Sequence, residues 1–203
     1  MLTVHHLAAS QSERIVWLCE ELELPYELAR YERDPVTRQA PPEYKALHPF
    51  GTAPVITNGD LVLGESGAIV EYLCRRSGSR LILGPEHADF TNFLYWFHFA
   101  NGSMIPSLML DVVAQNPAGA SGRASESRTE RALNMIETRL TGAMFFAGDE
   151  FTAADIMMCL MLVFARRDAT PYPNVKTYLK RLAQRPARRR AMVKAEPDRP
   201  LPT

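Results

Sequence analysis

The stretch from His48 to Tyr72 constrains the fold more than any other part of the chain. Val55-Ile56-Thr57 and Leu61-Val62-Leu63 are short apolar runs, and Asn58-Gly59 lies between them. Asn-Gly is the strongest short-range hairpin signal, because both residues tolerate the left-handed backbone of a tight turn. The expectation is two antiparallel strands from Val55 to Leu63. Pro54 cannot donate to a sheet ladder, so it belongs at a strand start or edge. The trans preference of an X-Pro bond is only about 0.5–1 kcal/mol, so both isomers of the Ala53–Pro54 bond are open. Ser66 reads as a helix N-cap, with Ile69, Val70 and Leu73 as an apolar stripe behind it and Gly78 as the stop.

This pattern has a chemical meaning. Free N–H groups at a helix start attract a carboxylate. Glu65 beside them attracts an ammonium. A proline-led strand offers backbone to a ligand. Together they suit an elongated zwitterionic peptide, with one end on backbone and the other at the helix N-terminus.

The rest of the chain falls into two halves. Leu2–Leu7 reads as a strand, Ser10–Leu24 as a helix with Ile15, Leu18, Cys19 and Leu22 on one face, and Tyr26–Tyr31 as a second strand. Asp34–Leu47 is proline-bearing loop and short helix. Residues 77–89 are rich in turn residues. Beyond them helices follow at Phe90–Ala114, with a bend expected near Pro106, and at Glu126–Leu140, Phe151–Ala165, Asn174–Gln184 and Pro186–Lys194, with a loop over Asn116–Ser125. Thr152 and Asp155 form a capping-box start for the very apolar Phe151–Ala165 helix, and Phe151 with Ile156 a hydrophobic staple. The domain reading is 1–78, a linker at 79–88, and an all-helical domain over 89–203.

Composition excludes several classes. Lys plus Arg equals Asp plus Glu at 23 each, so no global field favours nucleic acid or an anionic membrane. Ten basic residues nevertheless lie between Arg166 and Lys194. They read as solvated helix faces, with a basic rim for an anionic ligand as the sharper alternative. No run of 18 apolar residues marks a membrane span. Met1–Leu7 lacks the basic-then-apolar order of a secretory leader. Cys19, Cys74 and Cys159 are odd in number and far apart, which fits a reducing cytoplasm. His5 and His6 are adjacent in a strand, face opposite ways and cannot chelate one metal together. No metal is expected.

The motifs resemble the glutathione S-transferase family. Pro54-Val55 matches the family's Pro-Val step, and Glu65-Ser66 its acid-serine pair. Thr152-Ala153-Ala154-Asp155 resembles its capping box. Residues 95–100, Tyr95 to Ala100, resemble the first long helix of a bacterial and fungal branch, and Leu2–Leu7 with Tyr31–Asp34 point the same way. In that branch an acid often follows where this chain has Asn101, so the role of position 101 stays open.

The resemblance implies a thioredoxin-like α/β domain followed by an all-helical domain. It implies a glutathione site at Ser10, His48, Thr52, Ala53, Pro54, Val55, Glu65, Ser66 and Gly67, with the backbone holding the cysteinyl unit and Glu65-Ser66 the γ-glutamyl end. It also implies a homodimer, and a hydrophobic electrophile held between the domains, for which Tyr95, Phe99, Met104 and Met109 are the candidate pocket.

The family makes a thiolate with a Tyr, Ser or Cys after the first strand. A thiol of pKa about 8.5 is only a few per cent ionised at neutral pH. Here that segment, Ala8 to Arg14, holds neither Tyr nor Cys. Ser10 is the candidate and Ser12 the reserve, beside the reading that no side chain activates the thiol. Ser10-Gln11-Ser12-Glu13 also reads as a capping box, and a capping hydroxyl can still donate its proton elsewhere. The alternatives to a transferase are glutathione-dependent peroxidase, dehalogenase or isomerase activity, or a non-catalytic binding or scaffold protein of the same fold.

Overall fold

A computed structural model describes residues 1–114, 127–165 and 171–198. The expected loop at Asn116–Ser125 and residues Arg166 and Arg167 lie outside the described residues. Contacts divide the chain into one unit of Met1–Ile82 with Leu182–Thr203, and a second of Leu83–Arg181. The last helix therefore groups with the N-terminal unit, where the sequence reading put all of 89–203 in the helical domain.

The first unit runs β1 (Leu2–Leu7), α1 (Glu13–Glu21), β2 (Glu27–Tyr31), α2 (Pro42–Lys45), β3 (Val55–Asn58), β4 (Leu61–Gly64) and α3 (Ser66–Ser77). The sheet order is β2-β1-β3-β4. β1 pairs parallel with β2 and antiparallel with β3, so Val4 lies between Leu28 and Ile56. This is the thioredoxin-like arrangement. His5 and His6 do point to opposite faces. His5 meets Tyr31 and Thr57, while His6 meets Ser12 at the start of α1. On the Leu7 face, Tyr44 of α2 closes a small core with Val55.

Three local details differ from the sequence reading. The hairpin turn is Gly59-Asp60, because Asn58 pairs with Leu61 as the last rung. Gly59 alone of the two takes a left-handed φ of 59°, the pattern of a turn with glycine at its first central position. α1 starts at Glu13, not Ser10, and Ser10 Oγ accepts from the Ser12 N–H at 3.2 Å rather than capping through Glu13. α3 starts at Ser66 itself, with Glu65 in the cap position at φ 67°. Gly78 ends α3 as expected, in the left-handed conformation. The Ala53–Pro54 bond is cis.

α9 (Pro186–Ala195) packs along α1, and charge pairing explains why. Arg185 forks onto Glu21 at 2.7 and 2.8 Å. Arg190 and Lys194 both bond Glu20, and the buried Arg188 lies over the Trp17 ring. The C-terminal basic residues from 185 to 194 thus include a clamp on α1, which neither sequence reading of them anticipated.

The second unit holds α4 (Phe90–Phe99), α5 (Ile105–Ala114), α6 (Arg128–Thr141), α7 (Ala153–Ala165) and α8 (Pro173–Ala183). α4 and α5 are joined by a π-helical turn at Ala100–Met104, in which the Ile105 N–H reaches back to Ala100 O. The irregularity thus precedes Pro106, whose ring is excluded from a regular α-helical turn behind it. α7 is buried from Ala153 to Leu162. Asp155 is its anchor. Its carboxylate accepts from Thr152 N–H and hydroxyl, from Phe146 N–H at 2.9 Å and from Tyr178 OH at 2.8 Å. Burial pushes the Asp155 carboxyl up, and these donors oppose it. Among the described residues, no helix is long and apolar enough to cross a membrane.

Candidate active site

The expected binding residues gather at one end of the sheet. β3 begins at Val55, which lies between His5 of β1 and Gly64 of β4. Pro54 immediately precedes β3, and Glu65 immediately follows β4. The His48 ring rests against Gly64, and its Nδ1 accepts from the Phe50 N–H at 3.2 Å. Pro54 is buried, Ala53 half-buried, and Thr52 and Glu65 exposed. Val55 is flanked by β1 and β4, and Ala53 and Pro54 lie ahead of the strand.

Ser66 opens α3 and is buried. Its hydroxyl accepts from Arg14 Nη1 at 3.1 Å and donates to Gln11 Oε1 at 3.3 Å. Arg14 also bonds Gln11 Oε1 at 2.7 Å. These three residues tie the loop after β1 to the N-terminus of α3. The result is a buried guanidinium below a helix start, where the first-turn N–H groups have no intrahelical acceptor. Both favour an anion at Ser66-Gly67. Glu65, exposed at the same place, supplies the opposite charge for an ammonium. Gln11 and Arg14 escaped the sequence reading, since nothing local marks contacts reaching 52 and 55 positions along the chain.

The other half of the site is the loop from Leu7 to Ser12. Ser10 and Ser12 hydroxyls are 2.7 Å apart. Ser12 Oγ also accepts from the Leu7 N–H at 3.0 Å and lies 2.9 Å from His6 Nδ1. Ser12 is fully buried, and Ser10 is buried with 8% exposure. His6 Nε2 stands 3.2 Å from Glu196 Oε1, a contact that becomes an ion pair only when the imidazole is protonated. Burial pushes the His6 imidazole below its ordinary value, against the pull of Glu196. Glu196 Oε1 also takes the Ala9 N–H at 2.7 Å, and Ala9 itself is left-handed at φ 51°.

The four residues expected to form a second pocket separate. Tyr95 and Phe99 stack at 5.6 Å and line a cavity of about 330 Å³, together with Pro106 and residues of α6 that include Arg128, Arg131 and Met135. Met104 is fully buried in the core and Met109 is 59% exposed, and neither lines that cavity. Cys19 and Cys74 are buried, and burial pushes both thiols up to about 12, so neither is a reactive thiolate.

Comparison with known proteins supplies the family context. Sequence models of the glutathione S-transferase N-terminal and C-terminal domains match residues 9–76 and 112–186. The chain is 35% identical to glutathione S-transferase 3 of Schizosaccharomyces pombe, over 97% of this chain and 88% of that protein. A crystal structure of a glutathione S-transferase from Actinobacillus pleuropneumoniae superimposes with a TM-score of 0.89 at 33% identity, covering 97% of this chain and 93% of the other. A glutathione transferase from Burkholderia graminis, solved with two glutathione molecules bound per subunit, matches with a TM-score of 0.75 at 26% identity, over 98% and 89% of the two chains.

Proposed function

The chain belongs to the glutathione S-transferase family, and from that premise we propose how its own residues hold and activate glutathione. It is a glutathione transferase. The γ-glutamyl carboxylate sits on the first N–H groups of α3 at Ser66-Gly67, above Arg14, and the α-ammonium faces Glu65. The cysteinyl unit lies along the Ala53 backbone ahead of Pro54, beside His48 and Thr52. Ser10 then points its hydroxyl at the sulfur. The observation that carries this reading is the Arg14–Ser66–Gln11 cluster, which joins the anion site to the loop that carries Ser10.

The chemistry needs one thing from the protein. Lowering a thiol pKa by about two units takes roughly 2.7 kcal/mol of preferential thiolate stabilisation. A charge-assisted hydrogen bond from Ser10, near a helix N-terminus, supplies that order of energy. The thiolate then forms a carbon–sulfur bond with the electrophile, and the leaving group departs with the bonding pair. Within the helical unit, the Tyr95–Phe99 cavity has an aromatic wall suited to an apolar compound, without Met104 or Met109. Leu110, Val112 and Val113 of α5 are exposed apolar residues, which favours a homodimer. Cys19, Cys74 and Cys159 form no disulfide, which favours a reducing cytoplasm. Calorimetric titration with glutathione tests the site. Saturable binding supports it, and no measurable heat at millimolar glutathione overturns it.

A further inference from the structure

We propose that the thiol proton of bound glutathione stays inside the protein, passing through Ser10 and Ser12 to Nδ1 of His6, which Glu196 holds as an ion pair. This rests on the placement of Ser10 against the sulfur argued above. The chain of groups is continuous: Ser10 Oγ to Ser12 Oγ at 2.7 Å, Ser12 Oγ to His6 Nδ1 at 2.9 Å, and His6 Nε2 to Glu196 Oε1 at 3.2 Å. It is dry at its inner end, with Ser12 at 0% and His6 at 1% exposure.

The proton count is simple. Before ionisation His6 is neutral, the Ser12 hydroxyl turns from Leu7 O, 3.3 Å away, to donate to Nδ1 at 2.9 Å, Ser10 donates to Ser12, and the thiol donates to Ser10. Each proton then shifts one place inward. The thiol proton goes to Ser10, that of Ser10 to Ser12, and that of Ser12 to Nδ1. Afterwards every hydroxyl points outward and Ser10 donates to the thiolate, while the imidazolium faces the Glu196 carboxylate. No oxidant or co-reactant enters, and no net charge is created. Burial favours the neutral imidazole at rest, Glu196 and Glu32 favour the charged one, and Arg30 of β2 opposes it. Glu196 serves a second purpose, since its hydrogen bond to the Ala9 N–H holds the left-handed turn that presents Ser10. His6 and Glu196 are thus positioning residues that act through the two serines.

The test counts protons. Glutathione is titrated onto the full chain at neutral pH in buffers of different ionisation enthalpy, and the ultraviolet thiolate band of the complex is read in parallel. The parent protein is expected to release well below one proton per thiolate formed. His6→Asn keeps an acceptor for the Ser12 hydroxyl but takes up no proton, so it should release close to one per thiolate and need a higher pH to form it. Ser10→Ala cuts the line at its outer end and should likewise release a full proton for any thiolate it forms. One proton per thiolate from the parent overturns the relay. A complex with no thiolate at all, or no binding, overturns first the reading on which the relay rests.

Discussion

Arg14 Nη1 donates to Ser66 Oγ at 3.1 Å, so a buried guanidinium of α1 stands directly beneath the first residue of α3. The pair ties together two segments 52 positions apart and sets a fixed positive charge where a carboxylate would bind. Ser66→Ala removes this link, and with it the bond that holds the guanidinium at the anion site. Hydrogen bonds to charged groups are worth about 1.5–3 kcal/mol, so glutathione affinity should fall about tenfold to a hundredfold. Isothermal calorimetry reads this, and unchanged affinity would remove Ser66 from the site.

Asp155 gathers donors from Thr152, Phe146 and Tyr178 inside the helical unit. Asp155→Ala leaves buried donors unsatisfied and should cost about 3–5 kcal/mol in stability. Tyr178→Phe removes one of those bonds and should cost about 1 kcal/mol. Urea unfolding measures both, and equal losses would show that the network is not centred on the carboxylate.

The pH response of His6 has a defined sign. Burial holds the folded imidazole below its ordinary value, so the unfolded chain binds more protons once the pH drops below about 6.5. His6 therefore contributes full stability above that value and loses it as the pH falls toward the folded value. Thermal unfolding should show a midpoint falling between about pH 7 and pH 5, with a shallower slope in His6→Asn. Identical slopes would contradict this account of the histidine.

The sheet, the hairpin and the helical second half were legible because each is a local pattern. Val55–Leu63 carries its turn within nine residues of chain, Gly78 stops α3, and Thr152 with Asp155 marks α7. The misreadings share a cause. Ser10 and Ser66 both read as N-caps, yet each hydroxyl is engaged by residues that sequence spacing does not pair with it: Ser12 for the first, Arg14 and Gln11 for the second. The docking of α9 on α1 depends on Arg185 and Glu21, 164 positions apart, and no local periodicity encodes such a pair. Nor does anything local pair His6 with Glu196, which lies almost a full chain length away.

Glu20 shows how that docking is held. Burial disfavours its carboxylate, but bonds from Lys194, Arg190 and Tyr26 outweigh this and hold the carboxyl below the usual range. Its contribution is present above the ordinary glutamate value and is lost as the pH falls through the lowered one. Both cations are about half exposed, so Glu20→Gln should cost only about 0.5–1 kcal/mol, less at high salt. Denaturant midpoints at low and high ionic strength measure this, and a salt-independent loss would assign the effect to packing instead.

The most direct test is the thiolate absorbance of bound glutathione against pH in the parent protein and in Ser10→Ala. In the parent, thiolate should form about two pH units below the value for free glutathione, and the substitution should move the curve back by about one unit or more. Superimposable curves for the two proteins would contradict the assignment of Ser10 as the group that stabilises the thiolate.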